Sequence, residues 1–362
     1  MLSLSSLIAE VNSYYQNLLN IQPNRTKLQI LSQMEWEKFC KDFNFSPLSK
    51  GIFLVRNLTC YLSDSEFLRL NLFHEYFGHG LFFEYSKYGK FIYKLEKKLE
   101  KEERKFLKGK EWTLEQLSDF RKENPFFKLI NKQENNLVYE IFAIWTEYHL
   151  SKLFGFKYKF KQKYKKMSNE MKEGLEKFID FQNEFGELAL YYEMGMPKYY
   201  SLTKIKELLK TIFKKKIDSA RLVILYGSRK PYSDIDIFMV SDEIKSFRNE
   251  WLDIYAMDQK EFEYSVSVFR ISVTDPLLTG DLILGDEYYF EQKKKQIQEQ
   301  PITQEAIYYN LSKSEEQKNL AKHFPKNSKE YAIATSYAQT YFKNAFFLKQ
   351  GKRKLTKSCL LS

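Results

Sequence analysis

Two acidic residues, Asp234 and Asp236, are candidates for chemistry within the stretch "LVILYGSRKPYSDIDIFMV" (222–240). In a β-strand, side chains two residues apart share a face, so both carboxylates project together while Ile235 and Ile237 pack behind them. Two carboxylates on one face repel each other unless a cation lies between them. Mg²⁺ is such a cation, because proteins hold it with one or two carboxylates plus phosphate oxygens. The spacing therefore predicts a magnesium site that accepts a phosphate ligand.

The residues around this pair predict nucleotide chemistry. Gly227 lets the backbone approach a phosphate closely, and Ser228 offers a hydroxyl and an N–H to it. Arg229 and Lys230, in the same turn, are candidates for phosphate contacts. Asp253, flanked by apolar residues in "WLDIYAM", is the expected third carboxylate on a neighbouring strand. Three such carboxylates match a site for two Mg²⁺ ions: one binds the triphosphate, and the other lowers the pKa of the attacking hydroxyl, with Asp253 as ligand or base.

This pattern of an apolar strand, Gly-Ser, a turn, D-I-D-I and a later acidic strand resembles the DNA polymerase β-like nucleotidyltransferase superfamily. It is most similar to the minimal nucleotidyltransferases, over roughly residues 200 to 300 and loosely over the helical tail. The resemblance implies Mg²⁺-dependent transfer of a nucleotidyl group from an NTP to a protein or RNA hydroxyl. The turn departs from the family, because five residues separate Ser228 from Asp234 where a longer turn is common. The alternative is a β-hairpin with surface aspartates, or a degenerate site.

A second stretch, "LFHEYFGHGLFFE" (72–84), holds His74 and His79 with Glu75 between them. The spacing is H-E-x-x-x-H, one residue longer than the H-E-x-x-H of many zinc peptidases. On an ideal α-helix five residues turn the side chain by about 140°, so the two histidines diverge. They converge if the helix contains a π-bulge or an opened turn. Gly78 is the residue expected to tolerate that distortion.

The third ligand of this second site is expected on "VYEIFAIWTEYHL" (138–150). Glu140 is the predicted ligand. Glu147, seven residues on and therefore on the same helix face, is expected either to support a ligand or to replace Glu140. His149 lies on about the opposite face and is not expected to take part. A strand at "GIFLVRNLTCYL" (51–62) is predicted to lie beside the histidine helix as a peptide-binding edge.

This layout resembles the gluzincin metallopeptidases, and its H-E-x-x-x-H variant looks like that of the tubulin-tyrosine carboxypeptidase-type family. The resemblance implies that His74, His79 and Glu140 hold Zn²⁺. It also implies that Glu75 is the base that takes the proton of a zinc-bound water. Two alternatives stay open: hydrogen-bonded histidines in an aromatic core, and a Glu75–His79 pair on a helix surface.

The patterning along the chain predicts a multidomain α+β protein. Residues 1–195 are expected to form a mostly helical zincin-like domain, and residues 200–298 an α/β nucleotidyltransferase domain with a short mixed sheet. Residues 299–362 are expected to form a C-terminal helical segment whose main helix stops at Gly351. The linker is predicted at "MGMPKYYSLTK" (194–204).

Two helix starts are predicted in the first domain. Ser63 and Glu66 have the spacing of a capping box, which predicts a helix from about residue 64. The N-terminal "MLSLSSLIAEVNSYYQNLL" lacks a basic region and carries Glu10, so it predicts an amphipathic helix and not a signal peptide.

The composition is that of a folded protein, because 43% of the 362 residues are hydrophobic and 17% are aromatic. No apolar run approaches the roughly 18 residues of a membrane span. Three scattered cysteines without a C-x-x-C pair indicate a reducing compartment, so a cytoplasmic location without membrane contact is expected. The net charge of +11 permits an anionic partner. The lysine runs 157–166 and 352–357 are either solvated helix faces or a nucleic-acid footprint.

Together the motifs predict an enzyme, a nucleotidyltransferase fused to a zinc metallopeptidase. The expected cofactors are two Mg²⁺ ions and one Zn²⁺ ion, and the expected partners are an NTP, a protein or RNA acceptor and a peptide substrate. Two other hypotheses stay open. In one, the peptidase is the effector and an inactive nucleotidyltransferase domain senses nucleotide. In the other, both sites are degenerate and the protein is a binding module.

Overall fold

The chain divides into two compact units, Met1–Tyr199 and Tyr200–Ser362. The computed structural model describes residues 3–46, 48–108, 113–353 and 355–361. The fold is α+β, with a small mixed sheet in each unit. Within these described ranges, no helix is both long enough and apolar enough to cross a membrane. Lys354, part of the basic run 352–357, lies outside the described residues.

The sheet of unit 1 has three strands: β1 (Lys27–Leu31), β2 (Gly51–Leu54) and β3 (Thr59–Ser63). The strand order is β1-β3-β2, with β1 parallel and β2 antiparallel to β3. The prediction of one strand over 51–62 is wrong. Val55–Asn57 forms a 3₁₀ turn and Leu58 adopts a φ of 49°, so the chain reverses and makes a hairpin. Strand β2 consequently lies at the edge of this sheet.

Helices make up most of unit 1. They are α1 (Leu4–Leu19), α2 (Gln33–Phe43), α3 (Leu68–Asn71), α4 (Gly80–Tyr85), α5 (Lys87–Leu107), α6 (Leu114–Glu123), α7 (Pro125–Ile130), α8 (Gln133–Leu153), α9 (Lys157–Lys165), α10 (Asn169–Phe185) and α11 (Glu187–Glu193). Helix α1 buries Leu7, Val11, Tyr15 and Leu19, which confirms the amphipathic helix. The predicted start at residue 64 is wrong, because α3 is preceded by Phe67 and has no side-chain cap.

The sheet of unit 2 has five strands: β4 (Leu222–Tyr226), β5 (Ile235–Val240), β6 (Phe247–Arg248), β7 (Leu252–Met257) and β8 (Asp281–Gly285). Their order is β6-β7-β5-β4-β8, and only the β5–β7 pair is parallel within this sheet. The apolar runs that predicted strands form β4, β5 and β7. The two edge strands, β6 and β8, were not predicted.

The helices of unit 2 are α12 (Leu202–Phe213), α13 (Gln259–Ser267), α14 (Ile271–Thr279), α15 (Glu287–Glu299), α16 (Gln304–Ala321), α17 (Lys329–Lys349) and α18 (Lys357–Leu361). One apolar core joins Ile224 and Phe238 of the sheet to Leu348 and Leu355 of the C-terminal segment. The helical tail is thus packed into unit 2. Helix α17 ends just before Gly351, whose φ is 70°, as the predicted stop requires.

Candidate metal centres

The two histidines of the H-E-x-x-x-H stretch come together because Leu72–His79, between α3 and α4, is a π-helix. A π-helix closes hydrogen bonds between residues five apart, so those residues come to lie on one side of the helix. The ring centroids of His74 and His79 are 4.9 Å apart, and their planes are inclined at 86°. Both side chains are buried. The distortion expected from the spacing is present and extends through the whole motif.

Gly78 has a different role from the one predicted for it. Its φ lies outside the left-handed region, and a Cβ at this position would lie 2.7 Å from Cα of Ala143 on α8. The glycine is therefore required for close approach of two helices, rather than for a backbone distortion. That approach brings Glu140, one turn before Ala143 on α8, towards the histidines.

Glu140 bridges the two imidazoles. Its Oε1 lies 3.1 Å from Nε2 of His74, and its Oε2 lies 3.3 Å from Nε2 of His79. Ligands at about 2.0–2.2 Å from a tetrahedral zinc ion lie roughly 3.3–3.5 Å from one another. One ligand atom from each of these residues falls within 4.8 Å of the others. The donor set and its spacing fit a zinc ion.

Glu75 lies on the same π-helix, with Oε2 4.0 Å from Nε2 of His79. The first residue of β2, Gly51, passes directly against it. A Cβ at Gly51 would lie 2.8 Å from Cγ of Glu75, so the edge strand approaches this carboxylate only because residue 51 has no side chain. The arrangement leaves Glu75 next to the histidines and next to an edge strand.

Glu147 lies behind His74. Its carboxylate is fully buried, with Oε2 3.2 Å from Nδ1 of His74, and it accepts a hydrogen bond of 2.7 Å from Nζ of Lys163. Glu140 is on the Nε2 side of the ring. The position of Glu147 therefore suits a group that orients His74, and not one that replaces Glu140. Lys163 belongs to the basic run 157–166. Its ammonium group contacts this buried carboxylate.

His149 lies in a separate polar network. Its Nε2 is 2.9 Å from the hydroxyl of Tyr14 and 3.0 Å from Oε1 of Glu187, and its ring stacks on Trp145. Gln182 contacts the other ring nitrogen at 3.2 Å. His149 is thus a hydrogen-bonded core residue outside the His74–His79–Glu140 group.

His74, His79 and Glu140 together form the histidine centre. In this centre His74 and the neighbouring carboxylates shift one another's pKa. Burial lowers the pKa of His74, but Glu140 and Glu147 outweigh it and raise that pKa to about 10. Burial raises the pKa of Glu140, but His74 and His79 hold that pKa well below its usual range. Metal ligands of these types bind when deprotonated, so a divalent cation would take the place of the shared protons.

The acidic centre lies in unit 2. Asp236 and Asp253 are register partners on the parallel strands β5 and β7, and Asp234 immediately precedes β5. Carboxylate oxygens from the three residues lie within 4.8 Å of one another. Burial, followed by the charges of Asp234 and Asp253, raises the pKa of Asp236 to about 6. Burial also raises the pKa of Asp253. This excess of negative charge fits a divalent cation with oxygen ligands.

Gly227 follows the last residue of β4 and has a φ of 77°, in the left-handed region that favours glycine. A Cβ there would collide with the carboxylate of Asp236. Both conditions require glycine at the point where the loop leaves the strand. The carbonyl of Ser228 accepts a hydrogen bond of 2.8 Å from the hydroxyl of Ser233, which closes the turn. Gly227 and Ser228 therefore form a tight turn beside the carboxylates.

The two basic residues of the turn are placed differently. Arg229 forms an ion pair of 2.6 Å with Asp281 on β8, and its side chain points to that partner. The carbonyl of Lys230 accepts a hydrogen bond from the hydroxyl of Tyr200 at 3.3 Å. The side chain of Lys230 is exposed. Neither residue forms an ion pair with the three aspartates.

Arg248 was not predicted as a site residue. Its Nη2 donates to Oδ2 of Asp234 at 2.7 Å, and its Nε lies 3.4 Å from Oδ2 of Asp253. The side chain of Asn249 accepts from the backbone N–H groups of Trp251 and Leu252, which closes a hairpin between β6 and β7. A hairpin interpretation of "FRNEWLD" would have placed Arg248 opposite Asp253.

No protein-family model matches the chain, and no curated protein matches its sequence. Among solved structures, the chain is similar to a nucleotidyltransferase-like protein from Exiguobacterium sibiricum 255-15, with 13% identity and a TM-score of 0.26. The alignment covers 41% of this chain and spans 59% of that structure.

Proposed function

We propose that unit 2 is a Mg²⁺-dependent nucleotidyltransferase, which moves a nucleotidyl group from an NTP to a hydroxyl of a protein or an RNA end. The observation that supports this proposal best is the convergence of three carboxylates: Asp236 and Asp253 on the parallel strands β5 and β7, and Asp234 just before β5. The tight glycine turn beside Asp236 adds backbone N–H groups at the same edge of the sheet.

The proposed reaction forms a bond between the acceptor oxygen and the α-phosphorus, and it breaks the bond to the β-phosphate, so that pyrophosphate leaves. Asp234 and Asp236 would hold Mg²⁺ with the phosphate oxygens, and the ion would neutralise charge on the triphosphate. Asp253 would orient the acceptor hydroxyl and take its proton. The turn at Gly227 and Ser228 would position the phosphates.

The experiment is label transfer from each of the four NTPs in Mg²⁺, with total tRNA and a cell extract offered as acceptors. The wild type should label one acceptor class, and the double substitution Asp234→Asn with Asp236→Asn should abolish labelling. Asp242→Asn, at an exposed carboxylate just beyond β5, is the matched control and should label normally. NTP binding without any transfer would instead support the nucleotide-sensor hypothesis.

Unit 1 supports a second proposal, a zinc-dependent peptidase. The observation that favours it is the π-helix that brings His74 and His79 onto one carboxylate, Glu140. These three residues would hold the zinc ion, whose role when bound is to make a ligated water acidic. Glu75 would take the proton of that water, and the edge of β2 would align an extended peptide by main-chain hydrogen bonds.

Zinc content by elemental analysis tests this second proposal. The wild type should hold one zinc ion per chain and His74→Ala should hold none, whereas His323→Ala, at an exposed histidine, should keep it. Glu75→Gln should keep the metal and lose hydrolysis of a peptide library. Adding NTPs to that hydrolysis assay tests whether nucleotide gates the peptidase.

A further inference from the structure

Four residues form one row across the sheet of unit 2. Arg248 on β6 is the register partner of Asp253 on β7. Asp253 is in turn the partner of Asp236 on β5, and Asp236 is the partner of Tyr226, the last residue of β4. Register partners on neighbouring strands project to the same face of a sheet. Arg248 and the end of β4 therefore lie on opposite sides of the carboxylates.

The glycine turn that would position the triphosphate lies at the β4 end of this row. Gly227 follows Tyr226, and a Cβ at Gly227 would collide with the carboxylate of Asp236. The strand β6 is three strands away from β4, which is roughly 14 Å at the usual strand spacing. A nucleotide held at the turn and at Asp236 would thus leave the β6 side of Asp253 to the acceptor.

Arg248 is the cation on that acceptor side. Its Nη2 donates to Oδ2 of Asp234 at 2.7 Å, and its Nε lies 3.4 Å from Oδ2 of Asp253. The side chain is 57% exposed, so a ligand can reach it from solvent. A guanidinium carries five N–H donors, and two carboxylate contacts leave donors for a further anion. Arg229, in contrast, pairs with Asp281 on β8, at the opposite edge of the sheet.

We propose that the acceptor is the 3′ end of an RNA and that Arg248 binds its last phosphodiester. This inference rests on the proposed nucleotidyltransferase function. In the transfer, the 3′ oxygen bonds to the α-phosphorus, pyrophosphate leaves, and Asp253 takes the proton. The last phosphodiester is one sugar away from that oxygen, and Arg248 is one strand beyond Asp253. The planar guanidinium matches phosphate oxygens with paired N–H bonds.

A protein hydroxyl accounts less well for Arg248. A serine or tyrosine acceptor brings no negative charge of its own next to the hydroxyl. A Mg²⁺ ion on Asp234 would compete with Arg248 for that carboxylate, and a phosphate of the acceptor would replace the partner that the arginine loses. The net charge of +11 also agrees with a polyanionic acceptor.

The test compares two short single-stranded RNAs with a 5′ fluorescein and a free 3′ hydroxyl, one of which carries a neutral methylphosphonate at its last linkage. Binding to the full chain is measured by fluorescence anisotropy in MgCl₂. The neutral linkage should weaken binding to the wild type by about 10- to 100-fold, as expected for loss of charge-assisted hydrogen bonds. In Arg248→Gln the same linkage should change affinity by less than about threefold, since the contact is already lost.

Lys245→Gln, at an exposed lysine just before β6, is the matched control and should keep the full sensitivity to the neutral linkage. Arg248→Lys should keep part of it, because the charge remains and the paired geometry is lost. Equal sensitivity of the wild type and Arg248→Gln would show that another residue holds this phosphate. A wild type without sensitivity would overturn the contact as well. That measurement leaves the protein unchanged, so it stays decisive if Arg248→Gln fails to fold.

Label transfer from the NTPs identifies the acceptor class independently. The transferred label should be released by ribonuclease and should resist protease. Label confined to protein would overturn the RNA acceptor and leave the nucleotidyltransferase function intact. Absence of label from every acceptor would remove both the inference and the proposed function.

Discussion

Arg248 donates from Nη2 to Oδ2 of Asp234 at 2.7 Å and places its Nε 3.4 Å from Oδ2 of Asp253. The guanidinium thus supplies positive charge to three carboxylates that otherwise repel one another. A metal ion bound by the same oxygens would have to share or displace this partner. We therefore expect the stability of unit 2 to depend on which cation is present.

Replacing Arg248 with Gln should lower the melting temperature in EDTA and increase the stabilisation by Mg²⁺. The free energy of unfolding in EDTA should fall by only about 1 kcal/mol, because the arginine is more than half exposed and solvent screens its ion pair with Asp234. The measurement is thermal unfolding with and without MgCl₂. Lys245→Gln, at an exposed cation nearby, is the control and should show neither effect. An unchanged Mg²⁺ response in Arg248→Gln would contradict the competition between the arginine and the metal ion.

Asp236 should make the metal-free protein less stable as the pH rises. Burial and the neighbouring aspartates raise the pKa of its carboxyl from an ordinary 3.8 to about 6, so the folded state binds this proton more tightly than the unfolded state. The free energy of unfolding therefore falls as the pH rises from about 4 to about 6, where the carboxyl ionises. In EDTA, Asp236→Asn should be more stable than the wild type at pH 7, by about 1 kcal/mol after solvent screening.

Denaturant unfolding at pH 4 and at pH 7 measures this effect. The difference in unfolding free energy between Asp236→Asn and the wild type should be small at pH 4 and should grow at pH 7. Addition of Mg²⁺ at pH 7 should reverse the order, because only the wild type gains the metal. A difference that does not depend on pH would contradict the coupled carboxylates.

The acidic centre was largely predictable from sequence because its geometry is local. The period of two in an extended chain puts Asp236 of β5 and Asp234, just before it, on one face, and an apolar run around Asp253 predicts β7. The parallel pairing of those strands was not predictable, since register depends on the packing of the whole sheet. Arg248 was missed for a different reason: its signal is a local hairpin whose edge strand is only two residues long.

The histidine centre shows a different limit of sequence reasoning. The spacing of His74 and His79 predicted a helix distortion, since a regular α-helix would separate them. The role of Gly78 was misread, because its neighbour Ala143 is 65 positions away and only tertiary packing brings them together. Lys163 gave no signal of its own within a run of lysines. Its contact with Glu147 depends on how α9 packs against α8.

Gly78→Ala should destabilise unit 1 and remove zinc. The added Cβ would lie 2.7 Å from Cα of Ala143 and would force α8 away from the π-helix, at a cost of about 1–3 kcal/mol. Glu140 would then no longer reach both histidines. The matched control is Gly155→Ala, just after α8, where the described residues leave the new Cβ free and only the φ of 82° is unfavourable. The free energy of unfolding of Gly155→Ala should fall by about 1 kcal/mol, and this variant should keep its zinc.

Unfolding free energy and zinc content, measured on the same samples, separate these expectations. Full zinc content in Gly78→Ala would show that the helix spacing tolerates the methyl group. Loss of zinc from Gly155→Ala would mean that general destabilisation, and not the position of Glu140, decides metal binding.

Glu147 and Lys163 should tune zinc affinity without being ligands. The carboxylate of Glu147 lies 3.2 Å from Nδ1 of His74 and accepts a hydrogen bond of 2.7 Å from Lys163, so its charge favours a proton on Nδ1 and leaves the Nε2 lone pair for the metal. Glu147→Gln should weaken zinc binding by about 10- to 100-fold, the usual cost of losing such a partner. Lys163→Met should also weaken zinc binding, but by a smaller factor. It removes only the positive charge that holds the Glu147 carboxylate in place.

Zinc affinity by competition with a chromophoric chelator distinguishes a supporting role from a ligand role. Complete loss of zinc in Glu147→Gln, equal to that in His74→Ala, would mean that Glu147 is itself a ligand. Lys161→Met, at an exposed lysine of the same run, should match the wild type. If Lys163→Met also matches the wild type, the buried carboxylate holds His74 in place without help from the lysine, and the contact of Lys163 serves stability alone.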